Sequence, residues 1–114
     1  EFFAERVAFA VSQGIRRENL ILDPGIGFGK QLEHNLAILN HLDSFLSLGL
    51  PLLLGASRKS FIGQLTGAGS SDRLPGTVAA NVLAYQRGAR VFRVHDVAVN
   101  HQALTVAAAV GGAS

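Results

Sequence analysis

The chain has 114 residues, room for one small domain but not for two. It is 48% hydrophobic and 16% charged, with a mean hydropathy of +0.30, which excludes disorder and predicts extensive burial. The formal charge of +2 is too small for a nucleic-acid or membrane-surface footprint, and zero cysteines exclude a disulfide framework, a thiolate nucleophile and a cysteine zinc site. No apolar stretch approaches the ~18 residues that cross a bilayer. Methionine is absent throughout, position 1 included, so the chain reads as a fragment of a longer protein.

In chain order, Phe3, Val7, Ala10 and Val11 mark the apolar face of a first helix, which Gly14 is placed to end. Leu20-Ile21-Leu22 is a short continuous apolar run, as expected of a strand covered on both faces. Leu36, Leu39, Leu42, Phe45 and Leu46 predict a second helix between His34 and Gly49, with Pro51 just past its stop. A second strand is expected at Leu52-Leu53-Leu54. Val78, Ala79, Val82, Leu83 and Tyr85 form a third helix closing at Gly88, and Val91-Phe92 leads a third strand into Arg93-Val94. A last helix runs from about Ala98 to Val110, before Gly111-Gly112.

The order is α-β-α-β-α-β-α, and the strand starts at Leu20, Leu52 and Val91 lie 32 and 39 residues apart. Such spacings are those of βα modules in a parallel α/β protein. Three parallel strands leave two open edges. The chain is then part of an open doubly wound sheet, an ordinary three-stranded domain, or nearly half of a (β/α)8 barrel, and the missing initiator favours the barrel.

The polar residues follow the strands. Asp23-Pro-Gly-Ile-Gly-Phe-Gly-Lys30 succeeds the first, Gly55-Ala-Ser-Arg-Lys-Ser60 the second, and Arg93-Val-His95-Asp96 the third. Carboxyl ends of parallel strands are where α/β folds bind ligands, so Asp23, Ser57, Lys59, Arg93 and His95 are expected in one mouth. The first loop is not a phosphate loop, because Gln31 follows Gly29-Lys30 where a Ser or Thr is needed. Nor is it a dinucleotide fingerprint, since Lys30 occupies the third glycine position. Asp23 either receives a planar amidine-like donor edge or caps a turn through its own backbone. Lys59 either contacts a carbonyl or ring nitrogen or belongs to a solvated basic loop. Arg93 and His95, two apart on a strand, share a face and suit a phosphate clamp, unless His95 is a core imidazole. The four histidines lie far apart without ligand spacing, and no metal is assigned to them.

Together the three loops, in this order and spacing, resemble dihydropteroate synthases, and the similarity runs through essentially all 114 residues. The resemblance implies the C-terminal part, about three βα units, of a single pterin-binding (β/α)8 barrel domain. It implies condensation of 6-hydroxymethyl-7,8-dihydropterin pyrophosphate with p-aminobenzoate, giving 7,8-dihydropteroate and pyrophosphate for folate biosynthesis. Carried over, Asp23 pairs with the pterin's amino-pyrimidine edge and Lys59 contacts the pterin from another strand end. Gly27 and Gly55 lie where backbone passes close to substrate, and Phe28 and Ser57 flank the p-aminobenzoate pocket that sulfonamides share. Arg93 and His95 hold the departing pyrophosphate, in a dissociative reaction where the amine attacks a pterin cation. Lys59, Arg93 and His95 thus form the catalytic set. The family also implies magnesium with ligands in the missing N-terminal half, none here, as well as a homodimer and a cytoplasmic location. On this reading the fragment alone is inactive. A pterin-binding methyltransferase and a non-catalytic pterin-binding or assembly module remain the alternatives.

Overall fold

The computed structural model describes residues 2–26, 31–56 and 59–113. It has five helices among those residues: α1 (Phe2–Ser12), α2 (Leu32–Asn40), α3 (Ser60–Thr66), α4 (Leu74–Gln86) and α5 (Val97–Gly111). Two strands, β1 (Leu52–Leu54) and β2 (Ala89–Phe92), pair in parallel, with Leu53 opposite Val91 and Leu54 opposite Phe92. The crossover between them carries α3 and α4, as parallel pairing requires.

The first expected strand is reduced to one parallel bridge, Leu22 to Leu52. Leu22 N–H donates to the Pro51 carbonyl at 2.9 Å, and the Leu22 carbonyl accepts from Leu53 N–H at 2.8 Å. The ladder stops there for local reasons. Leu20 N–H turns back to the Arg17 carbonyl at 3.1 Å in a 3-10 turn, and Pro24 has no N–H to offer. The three segments still lie side by side in parallel, so the α/β reading stands.

The second expected helix divides. Beyond α2 the chain pauses at His41 (φ −119°, ψ 26°) and continues as a 3-10 segment, Leu42–Leu48. Ser44 contributes to the break, because its Oγ donates to the His41 carbonyl at 2.7 Å and competes with α-helical pairing. Helix α4 begins four residues earlier than the apolar pattern, at Leu74, because Pro75 fits the first turn without forfeiting a hydrogen bond. Helix α3 was absent from the sequence expectation. It is seven residues long, and its buried Phe61 and Ile62 are too few to show a period.

The core gathers Leu22, Ile26, Leu42, Leu52, Leu54, Phe61 and Ile62, with the small Ala80, Ala84 and Ala89 where backbones pass closely. Helix α1 adds Val7, while Phe3 meets the Phe45 ring edge-on at 5.2 Å. Val11, expected on the same buried face, is 44% exposed instead. Helix α5 is apolar nearly all round, yet Val106 and Val110 are exposed and Asn100 is its buried residue. Asn100 Oδ1 accepts from Asn81 Nδ2 at 2.8 Å across the seam between α4 and α5. The molecule is flat, 44 × 38 × 22 Å, and its radius of gyration of 15.0 Å exceeds the ~13 Å of a compact chain this long.

Candidate functional site

The site lies where the three parallel segments end. Asp23 follows the Leu22 bridge, Gly55 and Ala56 follow β1, and Arg93 follows β2. The ladder carries one step beyond β2, since Arg93 N–H donates to the Leu54 carbonyl at 2.9 Å. That bond brings the Arg93 backbone level with the end of β1. Lys59 stands at the N-cap of α3 in extended conformation. Gly55, Lys59, Arg93, Val94 and His95 line a cavity of about 190 Å³.

Asp23 fills both roles that its residue type allows. Its Oδ1 accepts from Gly25 N–H at 2.9 Å, closing a turn in which Gly25 adopts φ +75°. Its Oδ2 lies 4.0 Å from Arg93 Nη1. A carboxylate held by its own turn keeps its second oxygen aimed at the mouth. Both side chains remain accessible, Asp23 at 37% and Arg93 at 57%.

Arg93 reaches that position because Gly55 lacks a side chain. A β-carbon at Gly55 would stand 2.5 Å from Arg93 Nη2. Only hydrogen at that position lets the guanidinium lie across the end of β1.

Strand alternation does not explain the pairing of Arg93 with His95. Strand β2 ends at Phe92, so Arg93 and His95 lie beyond it rather than on it, and Arg93, Val94 and His95 all line the same cavity. The chain curls from the last ladder bond into α5, whose N-cap is Asp96, and so presents three consecutive residues to one space.

Of the residues expected in one mouth, Lys59, Arg93 and His95 line one cavity with Gly55, and Asp23 stands beside Arg93. Gly27, Phe28 and Ser57 lie outside the described residues. Asn81 and Asn100 escaped the sequence reading; a mid-helix asparagine within an alanine- and valine-rich run was the available signal. Among the described residues no three Asp, Glu, His or Cys side chains gather to hold a metal ion. The carboxylate at hand, Asp23, is already beside a guanidinium, so these residues do not fit a magnesium site. A carboxylate beside a guanidinium, next to a cavity lined by that guanidinium, a lysine and a histidine, suits a ligand with a donor edge and an anionic tail.

Relatives carry the same architecture. The chain is 49% identical to a dihydropteroate synthase of Escherichia coli K12 over 105 residues, 92% of this chain and 37% of that protein. A solved Xanthomonas albilineans dihydropteroate synthase in complex with 7,8-dihydropteroate superposes with TM-score 0.96 at 47% identity, covering 99% of this chain and 44% of that one. The same enzyme with 4-aminobenzoic acid gives TM-score 0.95 at 47% identity, over 99% of this chain and 42% of the other. The chain therefore spans less than half the length of each of these three chains. The pattern of the pterin binding enzymes is matched by residues 1–95, which include every strand end just described. By that match, the chain belongs to the pterin binding enzyme family.

Proposed function

We propose that these 114 residues are the C-terminal part of a single (β/α)8 barrel domain acting as a dihydropteroate synthase. The observation that carries the reading is the convergence of Asp23, Gly55, Lys59, Arg93 and His95 at the parallel strand ends. The flat shape and the 53% exposed Ile21 beside the Leu22 bridge support a partial barrel, because a closed barrel would cover that edge.

In this proposal the pterin's amino-pyrimidine edge donates to Asp23, displacing Arg93 from its side. Lys59 donates to the pterin from the end of the neighbouring strand. Arg93 and His95 face the pyrophosphate and stabilise the charge that grows as the carbon–oxygen bond opens. Stabilising a leaving group requires no protein nucleophile, and none of these residues is asked to be one. The amine of p-aminobenzoate then attacks the pterin methylene carbon. Two flanking residues assigned to its pocket, Phe28 and Ser57, rest on the resemblance alone. So do a magnesium ion held by residues outside this chain and a cytoplasmic location.

A homodimer belongs to the same proposal. Its support is the apolar groove of about 530 Å³ between α4 and α5, which includes Val82, Tyr85, Val106 and Val110. The test of the activity is pyrophosphate release by the complete protein containing this chain. Release that depends on both the pterin ester and p-aminobenzoate supports the reading. Dependence on a methyl donor would assign a methyltransferase, and ligand binding without release would assign a non-catalytic module. The isolated 114-residue chain is expected to form no dihydropteroate in the same assay.

A further inference from the structure

The seam between α4 and α5 holds two asparagines, Asn81 and Asn100, each only 1% exposed. Asn81 Nδ2 donates to Asn100 Oδ1 at 2.8 Å. Asn100 Nδ2 then donates to the Asp96 carbonyl at 2.9 Å, and Asn100 N–H donates to the same oxygen at 3.1 Å. The Oδ1 of Asn81 is buried with no hydrogen-bond partner. A buried amide satisfied on one side alone is a poor source of stability, and an apolar pair of similar volume would fill this seam at least as well. Packing therefore does not account for the two asparagines.

What their donor chain holds is the Asp96 carbonyl, one residue beyond His95. Asp96 is the N-cap of α5 but makes no side-chain capping bond to it. Behind the junction where β2 gives way to α5, Asn100 holds the Asp96 carbonyl, and its amide is in turn oriented by Asn81.

We propose that Asn81 and Asn100 are positioning residues that lock the Asp96 junction and thereby hold the His95 imidazole in the cavity beside Lys59 and Arg93. The proposal rests on the reading of Arg93 and His95 as the pyrophosphate pair. Its logic is rigidity. A side chain on a loop binds an anion well only when its backbone is held, and a displacement near 1 Å weakens such contacts by an order of magnitude or more.

The test uses the complete protein with the double substitution N81L/N100L, which replaces both amides by apolar groups of similar size. The expected result is a melting temperature equal to or above wild type, with KM for the pterin pyrophosphate ester raised about 10-fold. Affinity for the bare hydroxymethyl-dihydropterin should stay within about twofold, and the His95 ring resonances should broaden. Asn81→Leu alone keeps the Asn100–Asp96 bond and should give a smaller shift in the same direction. A folded double variant with unchanged KM and unchanged His95 resonances overturns the proposal. So does a double variant that unfolds, because the pair then serves the fold. His95→Ala runs in parallel: if it spares pyrophosphate-ester affinity, the pyrophosphate assignment fails. The His95 resonances still decide whether the asparagines position the ring.

Discussion

Gly55 and Arg93 are complementary: the missing side chain of one is the space that the guanidinium of the other occupies. A β-carbon at residue 55 would meet Arg93 Nη2 at 2.5 Å and Cζ at 3.0 Å. Arg93 is 57% exposed and free to swing outward, so the collision is relieved without disturbing the core. Gly55→Ala should therefore leave the melting temperature within a few degrees of wild type, the shift expected for less than about 1 kcal/mol. It should still reduce affinity for the pyrophosphate ester about 10-fold, the loss of one charge-assisted contact. A thermal melt and isothermal calorimetry on the complete protein check the two halves, and an unperturbed affinity would separate Gly55 from Arg93.

Asp23→Asn tests the other side of the mouth. The amide oxygen can keep the 2.9 Å bond to Gly25 N–H, so the turn survives. The second carboxylate oxygen becomes a donor facing Arg93 and the pterin edge. Because Asp23 is 37% exposed, the loss should lie at the lower end of charge-assisted pairs, about 1–3 kcal/mol in pterin binding. Unchanged pterin affinity would leave Asp23 with its turn alone.

Arg93 and His95 should matter for the pyrophosphate more than for the ring. Arg93→Lys keeps the charge but loses the bidentate fork, and turnover should fall although the fold is intact. His95→Ala should weaken the pyrophosphate ester while sparing the bare alcohol. Equal losses for the two ligands would remove the pair from the pyrophosphate.

A stability prediction concerns the contact of α3 with α4. A β-carbon at Gly76 would lie 2.4 Å from Ile62 Cγ2, and Ile62 is buried and β-branched. It cannot rotate away cheaply. Gly76→Ala should cost about 1–3 kcal/mol, in contrast to Gly55→Ala, and thermal melts of the two variants side by side make the comparison.

The sequence by itself determined the parallel α/β order, because apolar runs too short for helices alternated with 3.6-periodic segments closed by glycines. Gly14, Gly49 and Gly88 sit at φ +96°, +71° and +112°, where the helical patterns said the chain should turn. It also sets Asp23, Lys59, Arg93 and His95 at or just after apolar runs, which is the ground for expecting them in one mouth. Tertiary structure alone decided the rest. Whether Leu20–Leu22 extends as a strand depends on hydrogen-bond partners, and only Leu22 has them. That Arg93 lies over Gly55 and beside Asp23 is a matter of close approach between residues 38 and 70 positions apart, on which composition and period are silent. The Asn81–Asn100 bond is the same kind of fact: two polar residues on apolar helices acquire meaning only when the helices pack. Periodicity records which face a residue takes on its own element, whereas the site depends on distances between elements.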